Sequence, residues 1–135
     1  MEQHAKGAFD VKMTPQAWSE SSSNHGLGRF MLDKQYHGDL EATSEGQMLA
    51  SGDGKPGSSA VYVAIEKVTG KLQGREGSFV LYHIGIMNRG VPQLTITVAP
   101  DSGTGELQGL AGAVTIEIAA GKHSYDFAYT LATVQ

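Results

Sequence analysis

The amino-acid sequence predicts an all-β protein whose eight antiparallel strands follow one another as a meander and close into a barrel. Three observations lead to this prediction. Eighteen glycines are spread along the 135 residues, apolar residues recur in eight β-type runs, and no segment of ten or more residues carries a helical apolar stripe. A chain of this length can bury one core, so we expect residues 1–135 to form a single β-barrel domain.

The eight strands are predicted in order along the chain. They cover residues 7–13, 28–37, 39–50, 59–73, 77–88, 93–99, 112–119 and 122–132. Alternation is clearest in the last, where the side chains of His123, Tyr125 and Phe127 share one face. The best helical candidate, residues 15–22, is short and rich in serine, so we expect at most one helical turn there. Closure removes free strand edges and leaves a lumen that is either filled or holds one small ligand; a two-sheet sandwich is the alternative.

Composition excludes several classes of function. The chain has no cysteine and no HExxH or HxH pattern, so we expect no disulfide, no metal and no cofactor. The net charge is -4 and the ten Lys and Arg residues are scattered, which argues against nucleic acid as a partner. The sequence begins without a basic segment followed by an apolar run and has no membrane-length apolar stretch, so we expect a cytoplasmic protein with no membrane partner.

An internal repeat marks the turns of the predicted sheet. The segments TGKLQGREGSFVL, from Thr69, and TGELQGLAGAVTI, from Thr104, align without a gap, and a weaker copy begins at Gly38. Each copy is interpreted as a hairpin, with a strand end, a glycine-bounded turn and a new strand. If residues 75–76 form the loop of the first copy, Leu72 lies opposite Phe79.

The same strings resemble a known family. YHGDLEATSEGQML, SSAVYVAIEKVTGKLQGREGSFVL and APDSGTGELQGLAGAVTIEI, followed by GKHSYDFAYTL, are similar to a family of small bacterial proteins of unknown function. The resemblance extends over residues 7–131 and implies an allene oxide cyclase-like barrel. It implies no activity and no catalytic residues, because likeness of fold alone does not establish chemistry.

The hairpin register brings one pair of ionisable residues together. Val114 and Ile116 occupy the repeat positions of Phe79 and Leu81, so the face that carries these residues is predicted to line the lumen. Glu66 and His83 lie on this face as diagonal neighbours. A carboxylate beside an imidazole can move a proton, so we consider them the candidate catalytic pair. The alternative is that they satisfy each other as buried polar groups.

Other lumen-facing side chains are candidates for contacts with a ligand. Lys34 alternates with Phe30, Leu32 and Tyr36, so its ammonium group must enter the lumen or extend to the mouth, and we expect the second. Aromatic residues of the last strand would add polar tips to an apolar wall. The candidate ligand-binding residues are Lys34, Tyr62, Phe79, Leu81, His123, Tyr125 and Tyr129.

Two functions stay open at this point, and the sequence does not decide whether the chain is an enzyme. The first is a barrel that binds a small apolar or amphipathic molecule, with or without isomerase-like or cyclase-like chemistry. The second is a non-catalytic structural or interaction module with a filled lumen. The face assignment also sends apolar residues of strands four and five outward, so we expect a homo-oligomer, most simply a dimer. These outward residues are Val61, Val63, Ile65, Val80, Tyr82, Ile84 and Ile86.

Overall fold

The computed structural model describes residues 2–16, 27–52 and 55–131, and these residues form a closed antiparallel barrel. Each strand pairs with the next along the chain and the last pairs with the first, which confirms the eight-stranded meander. A short 3-10 helix, Gly105–Leu107, precedes the seventh strand. The strands are β1 (Gln3–Gln16), β2 (Leu27–Tyr36), β3 (Leu40–Ser51), β4 (Ala60–Leu72), β5 (Arg75–Asn88), β6 (Val91–Val98), β7 (Leu110–Ala119) and β8 (Lys122–Leu131).

The segment considered as a helical turn divides between two parts of the chain. Pro15 and Gln16 belong to β1. The remaining residues, 17–22, lie outside the described part of the chain.

The register predicted for the β4–β5 hairpin is wrong by four residues. Leu72 pairs with Arg75, and Phe79 pairs with Val68. The loop consists of Gln73 and Gly74, whose φ angles are 46° and 85°. A type I′ turn requires positive φ at both positions, which Gly74 adopts freely and which a loop of two bulky residues at 75–76 would resist. Because the error is an even number of residues, the predicted lumen and outer faces are unchanged.

Only the first copy of the sequence repeat forms a hairpin. In the copy from Thr104, the residues matching the end of β4 form the 3-10 helix, whose Leu107 is buried. The weak copy from Gly38 runs from a turn into the single strand β3, and its second glycine, Gly46, lies inside that strand. The hairpin interpretation was therefore wrong for these two copies. Leu107 is buried from the 3-10 helix, whereas Leu72, which matches it in the first copy, is buried from the end of β4.

The lumen is closed at one end and open at the other. At the closed end, near the β2–β3 and β4–β5 turns, apolar side chains such as Leu40, Leu72 and Leu110 are buried. At the opposite end, four apolar residues on the lumen-facing side of their strands have 38–65% of their surface exposed to solvent. These are Met13, Met87, Leu94 and Ile118. The open end is therefore an apolar mouth.

Closure of the barrel is weakest between β6 and β7. Only two residue pairs join these strands, Ile96 with Val114 and Thr97 with Ala113. Toward the open end, residues 91–95 of β6 and 115–119 of β7 do not pair with each other. We call this the β6–β7 seam. Pro92 lies in its unpaired part and has no backbone N–H to offer an incoming strand.

Candidate functional site

Glu66 lies at the centre of the described lumen. It is in the middle of β4, is fully buried, and pairs with Gly46 on β3 and Leu81 on β5. A Cβ atom at Gly46 would collide with the backbone oxygen of Ile65 and with Glu66 itself. The glycine therefore lets β3 approach β4 closely where the carboxylate is held.

Three side chains donate hydrogen bonds to the Glu66 carboxylate. Lys34 Nζ and His83 Nε2 lie 2.7 and 2.6 Å from Oε2, and the Tyr36 hydroxyl lies 2.5 Å from Oε1. The predicted proximity of Glu66 and His83 is correct. Both carboxylate oxygens are satisfied, and His83 must carry its proton on Nε2 to donate this bond. We call Glu66, Lys34, Tyr36 and His83 the buried cluster.

The position of Lys34 corrects one prediction. Its side chain does not extend to the mouth, because it is only 6% exposed and forms an ion pair with Glu66. The ammonium also lies 5.4 Å from the centroid of the Phe9 ring, a cation–π distance. Burial of an ammonium is costly unless a counter-ion compensates for it, and the fully buried Glu66 carboxylate is that counter-ion.

Tyr36 is the member of the buried cluster that the sequence analysis did not assign to the site. Its spacing of two residues from Lys34 put both on one face of β2 and was the available signal. Nothing in the sequence showed that both would reach the same carboxylate.

The electrostatics of the buried cluster favour an ionised Glu66. Burial alone would raise the pKa of this carboxyl, but the hydrogen bond from His83 and the charge of Lys34 outweigh it and lower the pKa from 4.5 to about 2. Burial and the neighbouring carboxylate raise the pKa of Tyr36, which stays protonated. A carboxylate this acidic is a weak general base near neutral pH. The geometry suits the Glu66 carboxylate better to a structural role, in which it accepts the hydrogen bonds of its three donors.

A cavity of about 330 Å³ opens at the apolar mouth. Tyr62, a half-buried lining residue, approaches the buried cluster: its ring centroid lies 6.4 Å from that of His83. Neither Glu66 nor His83 is among the residues that line this mouth cavity. The mouth cavity is lined by Met48, Ala50, Ser51, Ala60, Val61, Tyr62, Gly85, Ile86, Met87, Pro92, Gln93 and Leu94.

The other candidate ligand-binding residues lie away from the mouth cavity. Phe79 and Leu81 are buried in the core, where Phe79 stacks on Phe127. His123 is half-buried, and its ring lies 5.2 Å from that of Phe9. Of the predicted ligand-binding residues, only Tyr62 lines the mouth cavity.

The two tyrosines of β8 hold backbone and side chains at the closed end. The Tyr125 hydroxyl donates to the backbone oxygen of His37 and accepts a hydrogen bond from the backbone N–H of Leu40, which fixes the β2–β3 turn. The Tyr129 hydroxyl donates to the side chain of Gln73 in the β4–β5 turn. Both tyrosines are buried.

The described residues offer no metal site and no membrane-spanning helix. No group of three or more His, Cys, Asp and Glu side chains within residues 2–16, 27–52 and 55–131 could hold a metal ion. His4 and His37 pair separately with Asp126 and Asp10. Within the same residues, no helix has the length and apolar character needed to cross a bilayer.

Comparisons with known proteins place the chain in a family. Residues 5–129 match the family described as protein of unknown function, DUF3224. A crystal structure of a DUF3224 family protein of unknown function from Shewanella oneidensis MR-1 is 46% identical in sequence and has a TM-score of 0.88. The match covers 98% of this chain and 100% of that one. None of the curated proteins matches this chain. The chain therefore belongs to the DUF3224 family of proteins of unknown function.

Proposed function

We propose that this protein binds a small apolar or amphipathic molecule in the mouth cavity. One observation supports this most directly: apolar side chains surround a cavity of about 330 Å³ at the open end of the lumen. This volume is at the lower end of the range for small-molecule sites. It equals that of about ten liquid water molecules, which suits a ligand on the order of 10–15 non-hydrogen atoms.

Tyr62 is the polar group proposed to orient the ligand. Burial and the charge of Glu66 raise the pKa of Tyr62, so its hydroxyl stays protonated and can donate a hydrogen bond. An anionic ligand group would lose its hydration against the apolar lining of the cavity, which disfavours it. The matching ligand is a chain or ring with one neutral hydroxyl or carbonyl group that meets Tyr62, and an apolar body that contacts Met87 and Leu94.

The buried cluster is proposed to hold Tyr62 in position from beneath the mouth cavity. Glu66 fixes the ring of His83, and His83 lies against Tyr62. A proton-transfer reaction of the isomerase or cyclase type is the second candidate, because a carboxylate–imidazole pair lies one side chain below the cavity. It ranks lower because Glu66 is strongly acidic and does not line the cavity. The filled lumen around Glu66 favours a purely structural role for the inner half of the barrel.

Binding of matched decyl compounds tests the proposal. We expect decan-1-ol and decan-2-one to bind and to raise the melting temperature, and decanoate to bind more weakly because its carboxylate would lose its hydration in the apolar cavity. Ala50→Phe should fill the cavity and reduce the affinity for decan-1-ol at least tenfold. Ala113→Phe, on the exposed outer surface of β7, is the matched control.

Tyr62→Phe separates the hydrogen bond from the apolar contact. It should lower the affinity for decan-1-ol several-fold and leave the affinity for decane unchanged, since only the alcohol can form a hydrogen bond with the Tyr62 hydroxyl. Isothermal titration calorimetry measures these affinities. The proposal is wrong if none of the probes binds, or if Ala50→Phe leaves their affinity unchanged.

A further inference from the structure

The outer face of β3, β4 and β5 is apolar and open to solvent. Val63 pairs with Leu49 on one side and Ile84 on the other, and Val61 pairs with Ile86, so these side chains adjoin across three strands. Their exposure, with that of Ile65, ranges from 40% to 64%. We call Leu49, Val61, Val63, Ile65, Ile84 and Ile86 the apolar face.

The opposite wall of the barrel has a different surface. The outward positions of β7 and β8 carry Thr115, Glu117, Ser124 and Asp126, as expected for a surface in water. The apolar face is therefore a local property of three strands, and it needs a local explanation. A solvated surface alone does not explain six exposed aliphatic side chains at neighbouring positions.

The size of the apolar face matches the centre of a dimer interface. From the exposed fractions of its six side chains, it presents roughly 500 Å² of apolar surface, near the upper limit for monomeric proteins. A standard stable interface buries about 800 Å² per partner, with an apolar core and a polar rim. The face would supply the core, and its neighbours Gln47 and Lys67 would supply part of the rim.

The geometry points to a second copy of this chain as the occupant. Each of β3, β4 and β5 is paired on both sides, so no free strand edge is available here to an extended peptide. Rim charges of both signs, Glu45 and Lys67, lie opposite each other across β3 and β4. A two-fold contact can therefore pair unlike charges. The net charge of -4 disfavours an anionic membrane surface as the alternative.

We propose that two copies of this chain associate face to face through the apolar face, about a two-fold axis. Val61 and Ile86 belong to this face and also line the mouth cavity, so a partner would cover one side of the mouth. The association itself rests only on the outer surface and does not require a ligand.

Analytical ultracentrifugation of the full chain tests the proposal. At 100 µM we expect a species of twice 14.3 kDa that dissociates on dilution. Val63→Lys combined with Ile84→Lys should weaken self-association at least a hundredfold, because four lysines would meet at the contact. The matched control, Ala111→Lys with Ala113→Lys, adds the same charge to the exposed outer surface of β7 and should leave the dimer intact.

A second measurement keeps the test decisive if the lysine variant fails to fold. The chain has no cysteine, so Ile65→Cys and Thr115→Cys each give a single site for a spin label. In dipolar electron resonance, the label at position 65 should give a short intermolecular distance and the label at 115 a long one. A monomer at 100 µM, a dimer unaffected by the lysines in the apolar face, or a shorter distance at 115 than at 65 overturns the proposal.

Discussion

Replacing Glu66 by glutamine tests whether charge holds the buried cluster together. Glutamine preserves the shape of the side chain but exchanges one acceptor oxygen for an NH₂ group. In the native protein, three donors converge on the two carboxylate oxygens. In the variant, at least one donor faces the NH₂ group, and the ammonium of Lys34 remains buried without its anion.

The expected loss of stability can be estimated in two ways. Removing one partner of a buried ion pair costs about 3–5 kcal/mol. Lowering the Glu66 pKa from 4.5 to about 2 on folding corresponds to roughly 3 kcal/mol of stability near neutral pH. The two estimates overlap at about 3 kcal/mol at pH 7, which corresponds to a melting temperature lower by about 10 °C for a domain of this size.

The pH dependence of the loss distinguishes charge from packing. Because folding lowers the pKa of Glu66, its contribution is complete above about pH 4.5 and is lost as the pH falls through about 2. The free-energy difference between the native protein and the Glu66→Gln variant should therefore be constant near neutral pH and shrink toward pH 2.

Urea unfolding followed by far-UV circular dichroism at several pH values measures this difference. Glu117→Gln, at an exposed outward position of β7, is the control and should change stability by less than about 0.5 kcal/mol. A loss below about 1 kcal/mol for Glu66→Gln that stays the same from pH 7 to pH 3 would refute the assignment of a charged, mutually dependent cluster.

Two further substitutions test the same structure at other points. His83→Ala should lower the free energy of unfolding by roughly 1–3 kcal/mol. The double variant with Glu66→Gln should lose less stability than the two single variants added together, because both changes remove the same hydrogen bond. Strict additivity in urea unfolding would show that the residues are not coupled. Gly74→Ala should cost about 1 kcal/mol, since its φ is 85° and no atom lies near the added Cβ; an unchanged urea midpoint would contradict the type I′ turn.

The faces of the strands were predictable from the sequence, but the depth of each residue in the lumen was not. Whether a position is odd or even along a strand decides which face its side chain joins. Glu66 and His83 were therefore correctly placed together even though the predicted hairpin register was wrong by four residues. Parity does not show whether Lys34 points to the mouth or to the interior. That depends on which strand lies beside it after closure and on the buried anion it meets there.

The mouth cavity was not predictable for a related reason. The alternation places the side chains of Phe79, Leu81 and Tyr62 on the lumen face, yet only Tyr62 reaches the open end. Their positions along the barrel axis depend on the tilt of the strands, which the sequence pattern does not contain. The alternation therefore identified the lining residues of the lumen and could not separate its filled half from its open half.

The β6–β7 seam has a consequence for how the ring of strands closes. In any barrel, the staggers between neighbouring strands must add up to a fixed shear around the circumference. The long ladders elsewhere leave little freedom to adjust their stagger, and β4 and β5 alone pair along 13 positions. The seam, with two pairs, is the one joint among the described strands that can absorb a mismatch. We therefore expect insertions in the other hairpins to be accommodated by a change in pairing at this joint, with the strand order of the barrel preserved.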